Sequence, residues 1–246
     1  MAGRTQPEQQ APPVQRLRIR YAKRGRARFT SHRDFGRAFE RALRRAGVPM
    51  AYSSGFSPHP RISYANASPT GAASEAEYLE IGLSQVCDAA AVQRALDAAL
   101  PPGLDIVEVV PASPGALADL LTGSRWTVEL VGVAEITLRT AVDQLLASEQ
   151  APVERLTKNG IRAFDARAAL IGLEVGPSTR ADAAGPGEGG WTLAMTLAHT
   201  VPAVRPDDVL AALVSLVPAV APALPPVLTR WAQGVLDPAT GLVREP

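Results

Sequence analysis

The 246-residue sequence predicts an α+β protein made of two tandem ferredoxin-like (βαββαβ) units, with antiparallel sheets packed by helices. Three observations lead there. Residues 16–21 alternate polar and apolar, the period of a half-buried strand. Residues 31–46 place Phe35, Ala38, Phe39, Ala42, Leu43 and Ala46 on one helical face. The second half of the chain then repeats the order of elements found in the first.

In the first half, Ser31 followed by Asp34 marks the start of the amphipathic helix by capping, and Gly47 and Pro49 mark its stop. After a proline-rich connection, residues 61–67 and 76–83 read as strands, 89–100 as a helix and 104–110 as a strand. In the second half, residues 126–133 read as a strand, 135–147 as a helix, and 153–157, 168–175 and 191–199 as strands. A helix over 206–217 and a strand over 227–232 complete it. The expected organisation is a flexible tail over 1–14, a basic unit over 15–112, a second unit over 124–235 and a tail over 236–246, with 181–190 as a Gly/Ala/Pro-rich surface loop.

With 46% hydrophobic residues the chain can bury a core, which excludes a disordered class. Its single cysteine, Cys87, excludes an internal disulfide framework, a zinc ribbon and an iron–sulfur cluster. Residues 1–13 are polar and lack the basic-then-apolar order of a secretory signal, and no apolar run reaches the length of a membrane span. The cytoplasm is the expected compartment.

The net charge of +1 conceals an asymmetry. Residues 16–46 carry twelve Arg and Lys against Asp34 and Glu40, a local +10, which leaves 13 basic and 22 acidic groups, or −9, elsewhere. Such a field points at an anionic partner. Arg18 and Arg20 fall on the open face of the first strand, and Lys23, Arg24, Arg26 and Arg28 lie in the connection to the helix. Arg33, Arg37, Arg41 and Arg44 form a ridge opposite the Phe35/Phe39/Leu43 stripe. Arginine suits bidentate phosphate contact and stacking on bases. A solvated face without a partner is the plainer reading of any charge run, although a purely solubilising surface mixes its signs.

Residues 52–61, Tyr-Ser-Ser-Gly-Phe-Ser-Pro-His-Pro-Arg, contain two prolines that stiffen the backbone around Ser57 and His59. Tyr52, Ser54, Gly55, Phe56, His59 and Arg61 are its candidate ligand-contact residues. A structural crossover with Phe56 in the core fits the same residue types. His32, at the helix start, and His59 are the candidates for general acid–base work, but a lone histidine with no oriented partner more often only packs. His199 reads as structural. Three histidines at 32, 59 and 199 have no metal-ligand spacing, and no phosphate-binding glycine motif is present, so neither a metal nor a cofactor is expected. Cys87 beside Asp88 fits a small buried residue or a helix-terminal thiol. Lys158, Arg162 and Arg167 gather around a turn that either extends the anionic site or faces water as a hairpin connection.

The runs 29–34, 39–47 and 52–63, of which Gly-Phe-Ser-Pro-His-Pro is the most specific part, resemble an uncharacterised bacterial family called radical-SAM-associated. Members of this domain of unknown function are either fused behind a radical SAM enzyme or made as separate proteins. Residues 75–81 and 158–167 also look like it, and the resemblance spans about residues 15–235. The chain has no Cys-x-x-x-Cys-x-x-Cys motif, so the resemblance implies the accessory half of a radical SAM system.

The sequence is therefore read as a non-catalytic RNA-binding accessory protein with a radical SAM partner. Two rivals stay open: an RNA-modifying or RNA-cleaving enzyme using His32 or His59, and an interaction module for an acidic protein.

Overall fold

A computed structural model describes residues 9–157, 160–178 and 190–246. It divides the chain into two compact units, between Asp119 and Leu120. The class is mixed α+β, with mostly antiparallel strand pairing and five α-helices among the described residues.

The first unit runs β1 (Gln15–Lys23), a 3-10 turn over Gly25–Phe29, α1 (His32–Arg45), β2 (Ile62–Ala65), β3 (Ala73–Leu83), α2 (Ala89–Ala99) and β4 (Leu104–Pro111). β1 pairs with β4 on one side and β3 on the other, and β2 pairs with β3, which gives the order β4–β1–β3–β2. The period-two pattern of β1 turns Leu17, Ile19 and Tyr21 onto the helices, where they meet Phe35, Phe39 and Leu43 of α1 and Val92 and Leu96 of α2. Tyr21 stacks on Phe35 at 4.1 Å between ring centroids, and Phe35 on Phe39 at 5.6 Å.

Local chemistry fixes the helix ends. The Ser31 hydroxyl accepts the Asp34 N–H at 3.2 Å and donates to the Asp34 carboxylate at 2.6 Å. Gly47, with φ +64°, takes the left-handed conformation that ends α1. Asp88 caps α2 through the N–H groups of Ala90 and Ala91. Cys87, just ahead of that cap, is half-buried.

A one-turn helix, α3 (Leu117–Leu120), lies at the junction. The second unit follows as β5 (Gly123–Leu130), α4 (Glu135–Ala147), β6 (Pro152–Thr157), β7 (Gly160–Asp165), β8 (Leu170–Pro177), β9 (Trp191–Ala198), α5 (Pro206–Leu216), β10 (Val227–Leu236) and β11 (Val243–Arg244). Its sheet has the order β10–β5–β9–β8, with β11 added to β10. β6 and β7 form a separate hairpin inserted after α4, tied to α5 where Arg155 meets Asp208 at 2.6 Å. With that hairpin set aside, the second unit repeats the first in the order of its elements and of its strands.

Three expectations change. Residues 160–165, read as a turn, form β7; the strand is exposed on both faces and so has no apolar alternation to show. Residues 236–246, read as a tail, carry β11, which a turn capped by the Asp237 carboxylate folds back onto β10. Of the tail read over 1–14, the Val14 N–H bonds the Leu83 carbonyl at 2.9 Å and the Gln10 N–H bonds Ser54 Oγ at 2.9 Å; residues 1–8 lie outside the described residues. Lys158 and the loop residues 181–189 lie outside them too.

His199 is half-buried in the second unit, with Nδ1 at 2.6 Å from the Leu121 carbonyl and Nε2 at 3.0 Å from Ser124 Oγ. Burial holds its pKa below the ordinary 6.5; the Leu121 carbonyl opposes this and nearby Arg230 adds to it. The unfolded chain therefore takes up this proton more readily than the folded one. Its contribution is present above pH 6.5 and is lost as the pH falls below that value. The urea midpoint should drop between about pH 7.5 and 5.5, and His199→Gln should flatten that part of the profile.

Candidate functional site

The +10 segment separates into two populations when its side chains are followed individually. On β1, Arg18 stands opposite Glu80 of β3 in the strand register and is only 3% exposed. Its Nε and Nη2 donate to Glu80 Oε1 at 3.2 and 3.0 Å, while Arg16 Nη2 donates to Oε2. Lys23 is buried with Nζ at 3.1 Å from Ser68 Oγ, and Arg20 Nε donates to the Glu75 carbonyl at 3.0 Å. Arg24 hydrogen-bonds the Glu75 carboxylate and meets Asp105 at 2.9 Å; these contacts, against some desolvation, hold its pKa above the usual arginine range.

Arg18, expected on the open face of the strand, and Lys23, expected in the connection to the helix, are thus interior groups. The acidic side chains of β3 neutralise much of the strand charge in place. Glu75 and Glu80 were visible in the sequence, but their role depends on the β1–β3 register, which strand periodicity alone does not supply.

On α1 the arginines point outward. Arg33, Arg37, Arg41 and Arg44 are all exposed. Arg37 and Arg44 reach Asp34 and Glu40 only at 3.9 Å, and such exposed pairs are worth under about 1 kcal/mol. Arg33 and Arg41 make no ion pair among the described residues, nor does exposed Arg26. Arg45 turns back to cap α2, donating to the Ala99 carbonyl at 3.2 Å. Just before the helix, the Arg28 guanidinium stacks at 4.7 Å over Phe29, whose ring is 59% exposed. Sequence reading missed Phe29 as a site residue; its place outside the helix's apolar stripe was the available signal.

Residues 50–61 form a rigid arch. Ala51 N–H bonds the Gly82 carbonyl, Gly82 N–H the Arg61 carbonyl and Arg61 N–H the Ala51 carbonyl, all within 2.9 Å. Higher up, Ser53 N–H bonds the His59 carbonyl at 2.8 Å, His59 N–H bonds Ser53 Oγ at 3.0 Å, and Arg61 Nε donates to the Tyr52 carbonyl at 3.1 Å. The tip carries Ser54, Gly55 and Phe56, and Phe56 is 69% exposed while Tyr52 is 42% exposed.

The two candidate histidines differ in setting. The His32 ring meets Tyr64 of β2 edge-on at 4.9 Å, and His59 projects from the arch. Neither imidazole has a hydrogen-bonding partner among the described residues. Burial, with a smaller push from Glu40, raises the Tyr64 phenol to about 12, so it is protonated at neutral pH. Among the described residues no three His, Cys, Asp or Glu side chains gather as metal ligands.

The arch, β2 and β3 together line an open cleft of about 510 Å³ that holds Arg16, His59, Arg61 and Glu80. A family model described as "Uncharacterized protein conserved in bacteria (DUF2344)" matches residues 16–206, from β1 to the start of α5. The chain belongs to this family. No curated protein matches the sequence. The span matched by the DUF2344 model thus contains α1, the arch, β1 except Gln15 and the cleft lining except Pro13. No helix among the described residues is long and apolar enough to cross a membrane.

In this DUF2344 protein Glu80 is the single carboxylate paired with Arg18 among the described residues. Glu80→Gln leaves a buried guanidinium without its counter-charge and should cost about 3–5 kcal/mol of stability. Urea denaturation at neutral pH checks this; a change below about 1 kcal/mol would mean that Arg18 finds water or another partner.

Proposed function

We propose that this protein is a non-catalytic RNA-binding accessory protein acting beside a radical SAM enzyme. One observation carries the reading: the α1 arginines stay exposed and weakly paired, while Arg16 and Arg18 of β1 are held by Glu80. A cationic ridge with the exposed ring of Phe29 at its start, together with the exposed Tyr52 and Phe56 of the arch, has the two elements of single-strand recognition. Guanidinium groups take phosphates, and aromatic faces take unstacked bases.

The strand order of each unit supports reading them as ferredoxin-like, a fold found in RNA-processing proteins by analogy alone. The radical SAM partner rests on the resemblance carried by the 52–63 run. This reading assigns no catalytic role to His32 or His59.

If four α1 arginines meet phosphates of a single strand, affinity should fall roughly 50-fold between 50 and 200 mM salt. Filter binding with a structured RNA bearing single-stranded loops measures this. Arg37→Glu with Arg41→Glu should abolish binding, whereas His32→Ala and His59→Ala should leave it nearly intact. Absence of binding at low salt contradicts the proposal, and RNA turnover that disappears in a histidine variant favours the enzyme reading.

A further inference from the structure

The cleft under the arch has a chemistry of its own, apart from the α1 ridge. Its volume of about 510 Å³ lies within the range of small-molecule sites. Ser53, His59, Arg61, Ser63, Arg16 and Glu80 all line it.

The charge inside is fixed by geometry. Glu80 is fully engaged, with Oε1 accepting two N–H groups from Arg18 and Oε2 one from Arg16. Two arginines thus share one carboxylate, and Arg61 adds a third guanidinium. Only Nε of Arg61 is used, on the Tyr52 carbonyl, so both Nη groups remain as donors and no carboxylate pairs with it among the described residues. Counting Arg16, Arg18 and Arg61 against Glu80, the cluster carries +2. Its walls are held by the backbone bonds of the arch. They also close tightly over β3: a Cβ on Gly82 would stand 3.0 Å from the Pro13 Cβ and 3.3 Å from the Arg61 Cβ.

We propose that this cleft binds a phosphomonoester, with Arg61 as its principal ligand and Arg16 oriented toward it by Glu80. A surplus of two positive charges matches a dianion better than a carboxylate. Guanidinium forks with the Ser53 and Ser63 hydroxyls supply donors for several phosphate oxygens. The group belongs either to the 5′ end of an RNA strand or to a free mononucleotide. The site stands whether or not α1 binds RNA.

Isothermal titration of the full chain with adenosine 5′-monophosphate and with adenosine tests it, alongside filter binding of 5′-phosphorylated and 5′-hydroxyl oligoribonucleotides. The monophosphate should bind and the nucleoside should not. Arg61→Gln, at an exposed position, should weaken the monophosphate roughly tenfold or more, Arg61→Lys should be intermediate, and Arg139→Gln, on α4 and outside both the ridge and the cleft, should change nothing. A matching preference for 5′-phosphorylated RNA identifies the strand end as the source, and its absence identifies the free nucleotide. No discrimination between monophosphate and nucleoside, together with no 5′-phosphate preference, overturns the site even if α1 binds RNA. Monophosphate binding unaffected by Arg61→Gln also overturns it.

Discussion

The buried contact between Arg18 and Glu80 ties the register of β1 and β3 to the charge of the whole first unit. Side chains alternate along a strand, so a slip of one residue would carry Leu17, Ile19 and Tyr21 off the helix-covered face. The ion pair and the apolar stripe therefore specify the same alignment from opposite faces of β1. Such a pair is weak evidence for stability when compared with an apolar replacement, but it is costly to break from one side. Here it also places Arg16 and Glu80 at the wall of the cleft.

That alignment decides how the positive charge is used. β3 supplies Glu75 and Glu80 where β1 and its connection supply Arg16, Arg18 and Arg24, so much of that charge is spent on holding the sheet together. α1 has only Asp34 and Glu40 beside its arginines, both reaching them at long range. The unneutralised field sits on the helix, next to an exposed phenylalanine and beside β2, whose Tyr64 packs on His32. The proposed binding role rests on this partition rather than on the overall count of basic residues.

Much of the fold was legible in the sequence because its signals are local. The α1 stripe, the Ser31 cap and the Asp88 cap each depend on residues within one or two turns. β7 and β11 were not legible, since β7 is exposed on both faces and β11 is two residues long. The arginine ridge and the stiff arch could likewise be read from spacing and prolines. The burial of Arg18 and Lys23 could not, because it is set by partners 62 and 45 residues away. The cleft was hidden for the same reason: Arg16, Arg61 and Glu80 are assembled by strand pairing rather than by a motif.

Arginine footprinting with phenylglyoxal, read by mass spectrometry with and without RNA, tests the division of charge most directly. Arg33, Arg37, Arg41 and Arg44 should react readily in the free protein and be protected by RNA, while Arg18 should be inert in both. Ready modification of Arg18 in the folded chain, or α1 arginines that react equally with and without bound RNA, would contradict the account.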